Sequence, residues 1–398
     1  MDRPSILLLA GRESWADRVE TWTDAFELVR CSTPEEIRVL LAGSRPWSAL
    51  LVDGGHPAAD RDLLATAART GTKPVVVGPP QPGVDWAALG AHQLLGPQFT
   101  ADELATVVSD PLAEAEALSV DGAVVAVTGP GGTGASTVAI ALAQGLSSAD
   151  CRVLLADFSR NAEQHVLHNV ERDLAGIGDL AEAFRTSTPP PKELRELAAE
   201  VPSRGYRLLG GLRRAVGWAS LRPRALEAAL TGLSSAYDVV VCDVDADLEG
   251  QAEGGSFDVE ERNALARTAV REASVAVVVG GPGMKGTHSL LRVLGELWAY
   301  GVAPGRTVVV LNRGDETTLG RVAGALETLK AQPARLLFIP EMHLEAELRD
   351  PLPLPSQIVE PLSDTVTPLL KASPRGPAQG PVRIAPGSLG VPGEKGYA

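Results

Sequence analysis

The chain has 398 residues, 44% of them hydrophobic and 22% charged. That is enough to bury two or three globular cores of about 150 residues each without covalent staples. Aromatic residues at 4% argue against a base-stacking platform, and a formal net charge of −14 argues against generic binding to a phosphate backbone. Three distant cysteines, Cys31, Cys151 and Cys242, give neither a disulfide framework nor a paired metal spacing, as expected of a reducing compartment.

Residues 1–110 alternate apolar runs with helical patterns. Strands are expected at Ser5–Ala10, Phe26–Arg30, Ala49–Val52, Pro74–Val77 and His92–Leu95. Helices are expected near Trp15–Thr23, Pro34–Ala42, Asp60–Thr70 and Thr100–Val108. The run at Ser5–Ala10 is too short for a signal-peptide core or a membrane span, so a soluble, cytoplasmic protein is expected. Strands alternating with helices predict a parallel sheet covered on both faces, and five such units match a flavodoxin-like domain. Residues 111–121 read as a linker.

A second α/β series occupies residues 122–372, with seven expected strands at Val124–Thr128, Val153–Ala156, Tyr206–Leu209, Val239–Cys242, Val275–Val279, Val308–Leu311 and Leu336–Ile339. Its β-branched runs have the continuous apolar character of strands buried on both faces. The clearest helices are Thr137–Leu146, Pro223–Leu233, Val259–Glu272 and Gly286–Ala299, and Pro189–Pro191 marks a surface break. Seven strands predict one doubly wound parallel-sheet domain. Residues 373–398, dominated by proline and glycine, are expected to be disordered.

The most informative stretch runs from Val124 to Ser147. A strand ends at Thr128, a turn follows through Gly129, Pro130, Gly131, Gly132, Thr133 and Gly134, and a helix opens with Ala135, Ser136 and Thr137. A phosphate-binding loop needs this context: glycines let successive N–H groups converge on one anion, and a helix N-terminus adds unpaired donors and partial positive charge. Ser136 stands where such a loop places a hydroxyl that ligates Mg²⁺. The alternative is a tight strand-to-helix turn that binds nothing.

The loop resembles that of the MinD/ParA group of P-loop ATPases, whose pattern is G-K-G-G-x-G-K-[ST]-T. Here it reads G-P-G-G-T-G-A-S-T, so Pro130 and Ala135 replace both lysines. The resemblance implies a P-loop NTPase fold holding ATP and Mg²⁺, the metal through Ser136, Asp157 and Asp243. Asp157 matches the family's first catalytic acid, but Ser159 replaces the second acid that orients the attacking water. Asp243 matches the Walker-B position. Asn312 matches the asparagine that reads the adenine edge, and Arg313 and Pro340 fall in the stretches that line the base pocket. Without the lysines, phosphate charge would rest on main-chain donors, Mg²⁺ and an arginine such as Arg160 or Arg313, which implies binding with weak or no hydrolysis. A genuine ATPase with an arginine in place of the lysine, and a scaffold that binds no nucleotide, are the alternatives.

The first domain resembles a two-component receiver, with Asp53 at the phosphoryl-acceptor position. It lacks the acidic pair after the first strand, where Ala10 and Gly11 stand, and the lysine after the fifth, where Leu95, Gly96 and Pro97 stand. It therefore reads as a degenerate receiver used for docking or dimerisation. A degenerate receiver followed by a MinD/ParA-like domain is similar to the CpaE/TadZ proteins of Flp (Tad) pilus assembly. The missing lysines and the segment SFDVEERNALARTAV resemble the actinobacterial CpaE-like, septum-site-determining (Ssd-type) branch. That resemblance implies a homodimeric spatial regulator at the pole or septum, partnered by a secretion or pilus ATPase or by division proteins. The acidic net charge argues against specific nucleic-acid binding, and the tail broken by proline and glycine argues against a membrane helix.

Three further features carry less. His165 and His168 are three residues apart but lack a third ligand at metal spacing. Asp245 and Asp247 are expected to face solvent. The arginines at 204, 207, 213, 214, 222 and 224 are expected to form a solvated or partner-docking face.

Overall fold

Two parallel sheets account for the alternation of apolar runs and helical patterns. The computed structural model describes residues 3–11, 14–112, 122–147, 151–170, 174–328 and 332–372. Most of the expected linker and all of the expected disordered tail lie outside the described residues. The first sheet holds β1 (Ser5–Leu9), β2 (Glu27–Cys31), β3 (Ala49–Asp53), β4 (Lys73–Val77) and β5 (Gln93–Leu95). Its order is β2-β1-β3-β4-β5, all parallel. That is the flavodoxin-like winding. Residues 78–92 cross from β4 to β5 without a helix, as Pro79, Pro80, Pro82 and three glycines dictate.

The second sheet holds β6 (Ala123–Thr128), β7 (Val153–Phe158), β8 (Ala199–Val201), β9 (Tyr206–Leu209), β10 (Val239–Val244), β11 (Val275–Gly280), β12 (Thr307–Asn312) and β13 (Arg335–Ile339). Its order is β13-β12-β11-β6-β10-β7-β9-β8. There are thus eight strands where seven were expected. The extra one, β8, is a three-residue antiparallel edge strand, too short to carry a hydrophobic pattern. The chain leaves β6 toward β7 on one side and later fills β11 to β13 on the other. The C-terminal end of β6 is therefore the point where strand order reverses, which is where ligands bind in open α/β sheets.

The expected helix Val259–Glu272 is two helices, Phe257–Arg262 and Ala264–Glu272. The break comes at the buried Asn263, whose amide donates to Asp247 Oδ1 (3.0 Å) and to the Glu249 carbonyl (2.9 Å). A helix at Ser356–Ala372 was not anticipated, because Pro361 and Pro368 interrupt its pattern. Burial of Ile358, Val359, Leu362 and Val366 in the core that holds helix Ala135–Leu146 outweighs that cost. The Gln144 side chain also exchanges two hydrogen bonds with the Leu354 main chain, at 2.8 and 3.0 Å. Among the described residues no helix is long and apolar enough to cross a membrane.

The two sheets meet through helix Arg61–Arg69, which packs on helices Ile177–Thr186 and Pro223–Ala236. Asp62 is buried in this seam and caps the start of helix Pro223–Ala236, accepting from the N–H groups of Arg224 (2.8 Å) and Ala225 (3.1 Å). Burial raises its pKa, and the two N–H donors oppose that rise. Arg61 donates to the Phe184 carbonyl (2.8 Å) and the Thr188 hydroxyl (2.8 Å), and Arg185 reaches back to Asp60 (3.1 Å). Replacing Asp62 by alanine strands two buried donors. Asp62→Ala should lower unfolding free energy by about 1–2 kcal/mol, with Asp62→Asn losing less. Urea denaturation of the three proteins checks this.

Candidate functional site

The loop after β6 is shaped by contacts that only glycine allows. A Cβ on Gly129 would sit 2.4 Å from the Val279 carbonyl oxygen. Gly132 (φ +80°) and Gly134 (φ +86°) lie in the left-handed region, and Gly134 caps helix Ala135–Leu146. The loop's carbonyls are engaged from β12. Asn312 Nδ2 donates to the Thr133 carbonyl (2.8 Å), and the Arg313 guanidinium donates to the Gly132 carbonyl (2.7 Å). A trans peptide holds its N–H opposite its C=O, so the N–H of Gly134 points away from Asn312. Thr133 is turned inward, its N–H and hydroxyl both bonded to the Pro130 carbonyl. No acceptor among the described residues meets the N–H groups of Gly131, Gly132, Gly134, Ala135, Ser136 or Thr137. These are the unpaired donors that make the start of a helix an anion site.

Beside the loop lie two buried carboxylates. Asp243 is the penultimate residue of β10 and accepts from Gln164 Nε2 at 2.7 Å. Burial lifts its pKa to about 6, against the nearby Gln164 and Ser136 side chains, which draw it down. Asp157, on β7, has its pKa pushed up to about 7, first by burial and then by the charge of Asp243. Both Asp157 oxygens already accept main-chain N–H groups, from Ser159 (3.1 Å) and Gln164 (3.0 Å). Asp157 therefore braces the segment after β7. Ser159 gives its hydroxyl to the Asp243 carbonyl (3.2 Å).

Gln164 is the residue that sequence reasoning missed. Fully buried, it ties Asp157 to Asp243 and leans on the Ser136 carbonyl (3.4 Å), while its own Oε1 has no donor. Only its place seven residues beyond Asp157 pointed to it, and that spacing has no motif attached. The hydroxyl of Ser136, the Asp243 carboxylate and the orphaned Gln164 oxygen are hard donors that fit Mg²⁺. With nucleotide bound, the ion would supply phosphate charge neutralisation.

Other expected residues fall in different places. Arg160 is not brought to the loop; it pairs with Asp245 (3.0 Å). Asp245 and Asp247 are thus not simply solvent-facing, since Asp247 also pairs with Arg262 (3.1 Å). Arg313 does reach the loop, from a left-handed backbone (φ +55°) that a bulky residue enters only at a cost. Both ends of the Asn312 amide are engaged, its oxygen by the Arg313 N–H (3.1 Å), with one N–H and one lone pair left over. Pro340 follows β13 and is exposed.

His168 is buried between the Gln164 carbonyl (2.7 Å) and the Tyr206 hydroxyl (2.6 Å). Burial lowers its pKa to about 4, which makes it a neutral structural histidine. The arginines from 204 to 224 do not form one face. Arg204 is buried against the Glu347 and Leu352 carbonyls, Arg207 pairs with Glu200, and Arg213 with Asp179. In the first sheet, the Trp15 indole donates to Asp53 Oδ2 (2.9 Å) and the Gly55 N–H to its Oδ1 (2.7 Å). Both oxygens of Asp53 are therefore occupied by neutral donors.

No protein-family model and no curated protein matches the chain. Solved structures do. The chain is similar to a ParA family ATPase from Chlorobium tepidum, with 16% identity, 64% of this chain and 94% of that one covered, and a TM-score of 0.46. A putative plasmid partition protein from Borrelia burgdorferi bound to AMPPNP is similar at 15% identity, 63% and 99% coverage, and a TM-score of 0.47. The MinC:MinD cell division protein complex of Aquifex aeolicus is similar at 21% identity, 63% and 97% coverage, and a TM-score of 0.45. These three similar structures are of ParA, plasmid-partition and MinD proteins.

The raised carboxylates set a sign for pH. Both pKa values, about 7 and about 6, lie above the ordinary 3.8, so the folded protein holds protons that the unfolded chain has released. Stability contributed by this pair is therefore highest below about pH 4 and declines as pH rises to about 7. Asp243→Asn should melt with a shallower pH dependence across that window than the parent, as thermal melts at pH 5, 6, 7 and 8 would show.

Proposed function

We propose that this protein is a MinD/ParA-like spatial regulator that binds ATP with Mg²⁺ and hydrolyses it slowly or not at all. In this reading it acts as a homodimer that marks where a pilus or secretion apparatus, or the division septum, is assembled. Residues 1–110 form its docking unit and residues 122–372 its nucleotide unit. The observation that supports it is the loop itself: a run of unpaired N–H groups at the start of a helix, beside Ser136 and Asp243, with no lysine in the loop. Binding needs those donors; fast hydrolysis needs cations and a water-orienting acid. Pro130, Ala135 and Ser159 stand where those groups would be, and both oxygens of Asp157 are taken. The contact of Arg313 with Gly132 favours a second reading, a working ATPase in which that guanidinium stands for the lysine.

Titration of the full chain with a fluorescent ATP analogue should saturate and should weaken when Mg²⁺ is removed. Gly134→Asp should abolish binding, because a side chain there is strained and its Cβ would meet Asn312 Nδ2 at 2.4 Å. Arg313→Ala should weaken binding by about tenfold or less, the share of one exposed cation. Phosphate release at the no-protein level is expected; release that vanishes in Arg313→Ala selects the second reading. An analogue that does not bind leaves only a docking platform. A fluorescently tagged chain should form polar or septal foci in cells, and a uniform signal counts against the positioning role.

A further inference from the structure

A cavity of about 390 Å³ opens between helix Ile177–Thr186 and the 3-10 turn Ala215–Ser220. None of its lining residues belongs to the loop after β6. Four arginines line it: Arg185, Arg213, Arg214 and Arg222. Two are matched within the wall, Arg185 by Glu182 (2.9 Å) and Arg213 by Asp179 (3.2 Å). The side chains of Arg214 and Arg222 have no hydrogen-bond or ion-pair partner among the described residues, although Asp62 feels the charge of Arg222 across the seam. In a chain of net charge −14, two arginines whose side chains have no hydrogen-bonded acid among the described residues therefore line one concavity. Ala181, Leu212 and Leu221 add apolar surface to the wall, beside Ser220.

We propose that this cavity binds a small organic phosphate, its phosphate gripped by Arg214 and Arg222 and its carbon skeleton set against Leu212 and Leu221. Planar guanidinium forks suit phosphate oxygens, which they bind in pairs. The volume falls in the range of small-molecule sites, about 300–1,000 Å³. An extended acidic peptide fits less well, because its further carboxylates would run past Asp179 and Glu182. The wall also touches two other parts of the molecule. Arg185 bonds Asp60 and the Pro57 carbonyl in the first α/β unit. Gly211 backs onto Asp157: a Cβ there would lie 2.9 Å from the Asp157 carboxyl carbon. A ligand here would bear on both the seam and the candidate nucleotide site. The inference stands whether or not the loop binds nucleotide.

The test uses the full chain carrying Gly134→Asp, which silences the loop, with AMP titrated by calorimetry. One AMP per chain is expected. Arg214→Ala/Arg222→Ala in the same background should weaken binding by about tenfold or more, and Arg214→Lys/Arg222→Lys should restore part of the loss. Equal melting temperatures establish that the variants fold; if the double variant does not, the exposed Arg214→Ala alone carries the comparison. Absence of binding up to about 10 mM AMP, or unchanged affinity in the alanine variants, overturns the proposal. So does inorganic phosphate binding as tightly as AMP, which would leave the leucine wall without a role. A glutamate-rich peptide that binds where AMP does not would assign the cavity to a protein partner instead.

Discussion

The orientation of two peptide groups decides what this molecule can do. By drawing the carbonyls of Gly132 and Thr133 toward β12, Arg313 and Asn312 turn the loop's acceptors to one side and leave its donors open on the other. The left-handed glycines make that orientation accessible, and the contact of Gly129 with the Val279 carbonyl seats the loop on the sheet. An anion cradle made of main-chain groups needs no particular side chain. That is why the loop can hold this shape with Pro130 and Ala135 in it.

The carboxylates behind the loop follow a different logic. Burial raises the pKa of each, and their mutual repulsion raises that of Asp157 further. Gln164 makes the arrangement tolerable by donating to Asp243 from its side chain and to Asp157 from its main chain. Such a site is strained toward protonation and would be relieved by a divalent cation. Asp53 in the first sheet shows a contrasting case: its carboxylate accepts from a tryptophan indole and a backbone N–H.

The seam between the two sheets gives the arginine-rich segment its meaning. In sequence it is a run of positive charges. In the fold its members part company, some buried against carbonyls, some paired with acids, and two left facing a cavity beside the helix that meets the first sheet. The positive charges of this segment are therefore spread over several parts of the fold.

The apolar runs by themselves determined the two parallel sheets, because a strand buried on both faces leaves an unmistakable continuous pattern. The glycine spacing after Thr128 likewise marked the loop, since few residues can adopt its backbone. Edge strand β8 and the proline-interrupted helix Ser356–Ala372 were illegible, the first too short for periodicity and the second held by packing against a distant helix. Only the tertiary structure brought Gln164 between two aspartates, turned Asn312 and Arg313 onto the loop, and locked Arg160 onto Asp245. These are contacts between residues far apart in the chain, or between neighbours whose side chains are aimed by the fold. Local sequence records what a residue is, whereas its partner depends on where the sheet order carries it.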